Sequence, residues 1–153
     1  MPETHDHIVK GLRPMKESDC AKVRDILNKY LEKYEVKQVW SKKEISHFFV
    51  PQSNVIYSYV IENEQKQITD FFSFYSLPSS VLDHPKYKTL SAAYSYYFVN
   101  NTYSITELFE TCCIIARNEG FDVFNSLDVM EYRECFDVSF FVIKRIETYV
   151  QPW

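Results

Sequence analysis

Phe71-Phe-Ser-Phe-Tyr-Ser-Leu-Pro-Ser-Ser80 reads as a buried strand: aromatic residues crowd it, and Pro78 closes it. Two other runs share that character, Ala92 to Val99 and Phe121 to Leu127, and both are expected to pair or pack with it. Each of the three carries a polar residue at or near an end, namely Ser79, Tyr94 and Asn125, where a pocket can open. The implied layout is an apolar sheet presenting a few side chains at its rim.

The chain has 153 residues, a length that suits one domain burying roughly 70% of its unfolded surface. With 46% apolar and 17% aromatic residues, it can fill a core, which excludes general disorder. A formal charge of −4, with basic residues only in pairs such as Lys42-Lys43 and Lys144-Arg145, argues against a nucleic-acid partner. Only Gly11 and Gly120 are glycines, where average usage gives about ten. A loop that cradles phosphates with backbone N–H groups needs clustered glycines, so a self-contained nucleotide or coenzyme A site is not expected.

Cys20, Cys112, Cys113 and Cys135 lack C-x-x-C spacing and read as buried thiols of a reducing, cytoplasmic compartment. No signal peptide and no membrane-spanning run is expected. No metal site is expected either: His5 and His7, in a polar stretch read as an exposed tail, make only a weak ligand set.

Residues 1–10 are read as a tail or linker. Gly11 to Met15 reads as a short strand, placed at an edge or terminus by Pro14. A first helix, capped by Ser18 or Asp19, buries Val23, Ile26, Leu27, Tyr30, Leu31 and Tyr34. A second starts from a Ser41-x-x-Glu44 capping box, with Trp40 and Ile45 as its hydrophobic staple, and stops at Pro51. Its His47 is expected at the surface or rim. Asn54 to Glu62 and Ile68 to Leu77 read as an antiparallel hairpin, in which Asp70 stands out as a charge within an apolar run.

Pro78 to Thr89 is irregular and includes His84 beside Pro85, read as loop punctuation. Leu90 to Val99 is another strand, with Tyr94, Tyr96 and Tyr97 close together. A second capping box, Ser104-x-x-Glu107, opens a third helix that Gly120 stops. Phe121 to Leu127 is a strand, Asp128 to Phe136 a short helix, and residues 137–153 a tail holding one more strand-like run. The expected class is α/β: a mixed, largely antiparallel sheet with helices on both faces.

Four segments, in collinear order, resemble the C-terminal half of the eukaryotic N-myristoyltransferases (glycylpeptide N-tetradecanoyltransferases). They are Gly11-Leu-Arg-Pro-Met15, Asp70-Phe-Phe-Ser-Phe-Tyr-Ser-Leu-Pro-Ser79, Ala92-Ala-Tyr-Ser-Tyr-Tyr97 and Gly120-Phe-Asp-Val-Phe-Asn-Ser-Leu-Asp128. The resemblance runs from Gly11 to about Glu131. It implies an acetyltransferase-like (GNAT) domain over residues 11–136, with residues 137–153 as a divergent tail lacking the family's Lys-Phe-Gly-x-Gly-Asp-Gly motif.

The family moves myristate from myristoyl-CoA to the amine of an N-terminal glycine. The resemblance therefore implies a protein or peptide substrate beginning with glycine, with Ser79, Tyr94 and Asn125 lining its groove. It places the acyl-CoA site and the oxyanion donors in an N-terminal half, the possible partner of this one. The family's proton acceptor, a C-terminal carboxylate, is not matched, so the catalytic residues stay unassigned and this chain alone is expected to be inactive. The alternative is a non-catalytic peptide-binding or interaction module. A free-standing acetyltransferase would need the glycine turn that is lacking.

Overall fold

The computed structural model of the protein describes residues 8–81, 85, 86 and 88–126. Their elements in chain order are β1 (Leu12–Pro14), one 3-10 turn (Glu17–Asp19), α1 (Cys20–Leu31), α2 (Lys42–Phe49), β2 (Ile56–Glu62) and β3 (Ile68–Ser76). There follow β4 (Ser79–Ser80), β5 (Thr89–Leu90), β6 (Ala92–Val99), α3 (Ile105–Asn118) and β7 (Val123–Asn125). The expected helix over 128–136, the tail 137–153, His5, His7, His84 and Cys135 lie outside the described residues.

Five strands form one sheet in the order β1-β2-β3-β6-β7. The first three pairings are antiparallel and the last, β6 with β7, is parallel. The sheet is thus mixed and largely antiparallel. The reason for burial on both of its faces is visible in β3. Phe72 and Phe74 join the core under α3, with Leu108, Phe109 and Cys112. Phe71 joins the core under α1 and α2, with Val23, Leu27, Ile45 and Phe49. Helices therefore cover both faces, and the central strand reads as continuously apolar because it has no solvent side.

The local signals act as the sequence suggests. Ser41 accepts from Glu44 N–H while the Glu44 carboxylate receives the Ser41 N–H at 2.8 Å, and Ser104 and Glu107 repeat the arrangement at α3. Gly120 sits at φ +88, and Phe121 N–H returns to the Ala116 carbonyl at 3.1 Å, closing α3 by a left-handed turn. Gly11, at φ +83, lies against β2 so closely that a Cβ there would stand 2.1 Å from the Glu62 carbonyl oxygen.

Three details differ from the sequence reading. Asp19 does not cap α1 with its side chain. Its carboxylate instead accepts the Lys16 N–H at 2.8 Å and a forked pair from Arg13, fixing the 3-10 turn to β1. Leu90 to Val99 is not one strand: it breaks at Ser91 into β5 and β6. β7 begins at Val123, two residues later than Phe121, because Phe121 completes the turn after α3 and is buried there.

Candidate functional site

The three candidate residues lie on elements that meet at one end of the sheet. β3 and β6 are the arms of a long hairpin whose tip carries β4 and β5. Ser76 pairs with Ala93 on one side of a break, and Ser79 with Leu90 on the other, so Pro78 stands opposite Ser91. A proline costs the ladder no donor there. β7 runs beside β6 with Tyr94 directly opposite Asn125. Tyr94 and Asn125 are therefore brought together as cross-strand neighbours on one face. Ser79, on β4, is half-buried in the separate two-stranded extension that follows β3.

Which face this is follows from β6. Phe72 pairs with Phe98 and Phe74 with Ser95, so Tyr96 and Tyr97 together oppose Ser73: a bulge of one extra residue. The buried Ser73 hydroxyl closes it, accepting the Tyr97 N–H at 3.1 Å and donating to the Tyr97 carbonyl at 3.3 Å. Both tyrosine rings then turn to the α1/α2 side. Tyr97 meets Trp40 at 5.5 Å, and Tyr96 stacks on Phe49 at 5.2 Å. Burial pushes both hydroxyls above the ordinary tyrosine range, which keeps them neutral.

Tyr75 links this cluster to the candidate site. Its ring stacks on Tyr94 at 5.6 Å and meets the edge of Tyr96 at 5.7 Å. It also borders an open cleft of about 440 Å³ with His47, Phe48, Gln52, Val55, Ile56 and Tyr96. His47 is thus at a rim, as its sequence position suggests. Tyr75 is the residue that sequence reasoning passed over, since its place depends on the pairing of β3 with β6. A second cleft of about 550 Å³ lies by β1, bordered by Lys10, Arg13, Glu62, Glu64, Lys66 and Tyr103. It is at the opposite edge of the sheet, its charges of both signs offset one another, and it has no link to the three candidates.

Asp70 resolves into a structural role. It is fully buried, and its Oδ1 accepts the N–H groups of Thr102 at 2.8 Å and Tyr103 at 3.2 Å, just before α3. The adjacent Ser104 N–H donates to Glu107 at 2.9 Å. A helix start with free amides can hold a phosphate. Here carboxylates of the chain itself already take those amides, and neither glycine lies in the turn. The start of α3 therefore does not fit a coenzyme pyrophosphate. Among the described residues there is also no cluster of metal-ligating side chains, and no helix is long and apolar enough to cross a membrane.

The family described as "Myristoyl-CoA:protein N-myristoyltransferase, C-terminal domain" matches residues 2–145, beyond the quoted segments on both sides. Glycylpeptide N-tetradecanoyltransferase 2 of Bos taurus is 44% identical over 121 residues, covering 79% of this chain and 24% of that protein. The Danio rerio glycylpeptide N-tetradecanoyltransferase 2 is 38% identical over 145 residues, covering 94% and 30%. The chain thus spans less than a third of the length of these relatives.

Among solved structures, Saccharomyces cerevisiae N-myristoyltransferase with bound myristoyl-CoA superposes with a TM-score of 0.78 at 33% identity, covering 84% of this chain and 34% of that one. An acetyltransferase from Vibrio fischeri, at 13% identity and a TM-score of 0.56 over 75% of this chain and 93% of its own, shares the fold alone.

Proposed function

Because this chain belongs to the N-myristoyltransferase C-terminal-domain family, we propose that it is the acceptor-peptide half of a glycylpeptide N-tetradecanoyltransferase. In this reading it holds a protein substrate by its N-terminal glycine segment. The observation that carries it is the cross-strand pair Tyr94 and Asn125, beside the β4 extension with Ser79. An extended peptide presents backbone donors and acceptors in alternation. Two hydroxyls and an amide, which both donates and accepts, suit such a ligand.

Myristoyl-CoA, in the same proposal, is held by an N-terminal portion of the longer enzyme. Support comes from the Asp70 carboxylate at the start of α3 and from the match to a C-terminal domain. The substrate amine, with an ordinary pKa near 8, is mostly protonated at neutral pH and needs a proton acceptor. The chain's described residues assign none, so residues 11–136 as the domain and the peptide groove as its task are the extent of the reading. A reducing, cytoplasmic setting accords with the burial of Cys20, Cys112 and Cys113.

The test is peptide binding by the full 153-residue chain without acyl-CoA. A Gly-initiated peptide should bind, and its N-acetylated form should bind more weakly. Equal binding of the two, or none, would overturn the proposal. A single-turnover assay with myristoyl-CoA should give no product until the N-terminal portion of a relative is added. Binding that persists without any such restored activity would favour a non-catalytic interaction module.

A further inference from the structure

The elements bearing Ser79, Tyr94 and Asn125 come together around Ser91, and Asp122 binds its backbone on both sides. Its carboxylate Oδ2 accepts the Ser91 N–H at 3.0 Å, and its own N–H donates to the Ser91 carbonyl at 2.8 Å. Ser91 is the single residue between β5 and β6, opposite Pro78, where the long hairpin is broken. At this position the Ser91 backbone groups face away from β4, toward β7. Asp122 takes both of them.

We propose that Asp122 is a positioning residue for the acceptor site. It sets the angle of the β4–β5 extension, and with it the distance of Ser79 from Tyr94. The inference rests on the reading of those residues as a peptide groove.

The alternatives to Asp122 for this role are few. Below the break, β3 and β6 are held by their own ladder and by the buried rings of Phe72, Phe74 and Phe98. Asn125 is held by the β6–β7 ladder and by Phe124, whose ring meets Phe74 at 5.8 Å and Phe109 at 5.4 Å. Beyond the break, the extension has two paired residues on each arm and a Val81 N–H to Lys88 carbonyl bond at 3.0 Å. At the break, the Leu77 N–H reaches the Ala92 carbonyl of the other arm at 2.9 Å, and Ser91 exchanges two bonds with Asp122, its carbonyl also accepting the Val123 N–H at 3.4 Å. Removing the carboxylate frees the Ser91 N–H on the arm that must stay fixed.

The experiment is a double-mutant cycle on the full chain, read by anisotropy of a Gly-initiated peptide labelled at its C-terminus. Asp122→Ala should weaken binding by about tenfold, the loss expected for one misplaced hydrogen bond. Asp122→Asn, which keeps an acceptor at the same reach, should restore binding to within about twofold of the parent. In a Ser79→Ala background, Asp122→Ala should cost nothing further, since its effect passes through Ser79. Should Asp122→Ala not fold, judged by circular dichroism, Asp122→Glu displaces the acceptor by one methylene and takes its place in the cycle.

Additive losses from Ser79→Ala and Asp122→Ala, or no loss from Asp122→Ala, would overturn the positioning role and leave the groove reading intact. If Ser79→Ala and Tyr94→Phe both bind like the parent, the groove reading fails and takes this inference with it.

Discussion

Arg13 grips Asp19 through two parallel bonds, Nη1 to Oδ2 at 2.7 Å and Nη2 to Oδ1 at 3.0 Å, while its Nε reaches Glu62 at 2.9 Å. One guanidinium thus ties β1 to the 3-10 turn before α1 and to the end of β2. The Arg13 hydrogen bonds hold both carboxyls below their ordinary ranges, and the carboxylates in turn raise the guanidinium. A carboxyl with a depressed folded pKa adds stability above its unfolded value and loses it as pH falls through the folded one.

The stabilising contribution of this network should therefore be complete above about pH 5 and shrink as the solution is acidified below about pH 4. Arg13→Met should flatten that acid dependence and cost about 2 kcal/mol at neutral pH for the charged bonds to the buried Asp19. Urea midpoints measured from pH 7 to 3 for both proteins check this. Parallel slopes would show that Arg13 does not carry the effect.

Gly11 and Gly120 both have left-handed backbone, at φ +83 and +88, yet they should respond differently to alanine. At Gly120 a Cβ meets nothing within 4 Å, so Gly120→Ala should cost only the conformational penalty, about 1–2 kcal/mol. At Gly11 the same atom overlaps the Glu62 carbonyl, which is strand backbone and has no room to give. Gly11→Ala should cost about 2–4 kcal/mol. Thermal midpoints of the two variants, compared side by side, decide it.

Asp70→Ala should cost about 1–3 kcal/mol by leaving the Thr102 and Tyr103 amides without their acceptor. Asp70→Asn should cost less, because one oxygen still accepts. The atom it replaces with NH₂, Oδ2, is buried without a hydrogen-bond partner among the described residues. Equal losses in urea denaturation would mean that the negative charge, rather than the acceptor, matters.

Tyr94→Phe and Asn125→Ala should each weaken peptide binding by about tenfold while leaving thermal stability within about 1 kcal/mol of the parent. Tyr94 keeps its ring stack on Tyr75 when only the hydroxyl is removed. Unchanged binding in both variants would remove these two residues from the groove.

What could be read from the sequence was what neighbours a few residues apart decide. The Ser41–Glu44 and Ser104–Glu107 boxes, the turn at Gly120 and the hairpin around residues 63–67 needed no distant partner. The features that were not legible have partners far along the chain. Asp19 looked like a helix cap because Arg13 and Glu62 could not be placed beside it. Ser91 looked like mid-strand because Asp122, which captures it, is 31 residues away. Asp70 could be singled out as odd, but its amides at 102 and 103 could not be named. For the candidate site the resemblance named Ser79, Tyr94 and Asn125; the fold added the register that sets two of them side by side.

The bulge in β6 has a further consequence. Since Ser73 alone faces both Tyr96 and Tyr97, a chain shorter by one residue there would thread the same sheet, with Phe98 still directed toward α3. One of the two rings is therefore surplus to the framework: it adds aromatic surface to a single side without re-phasing anything downstream. Length variation at that point is silent to the other strands, which makes it a place where this fold can reshape one wall and leave the opposite wall untouched.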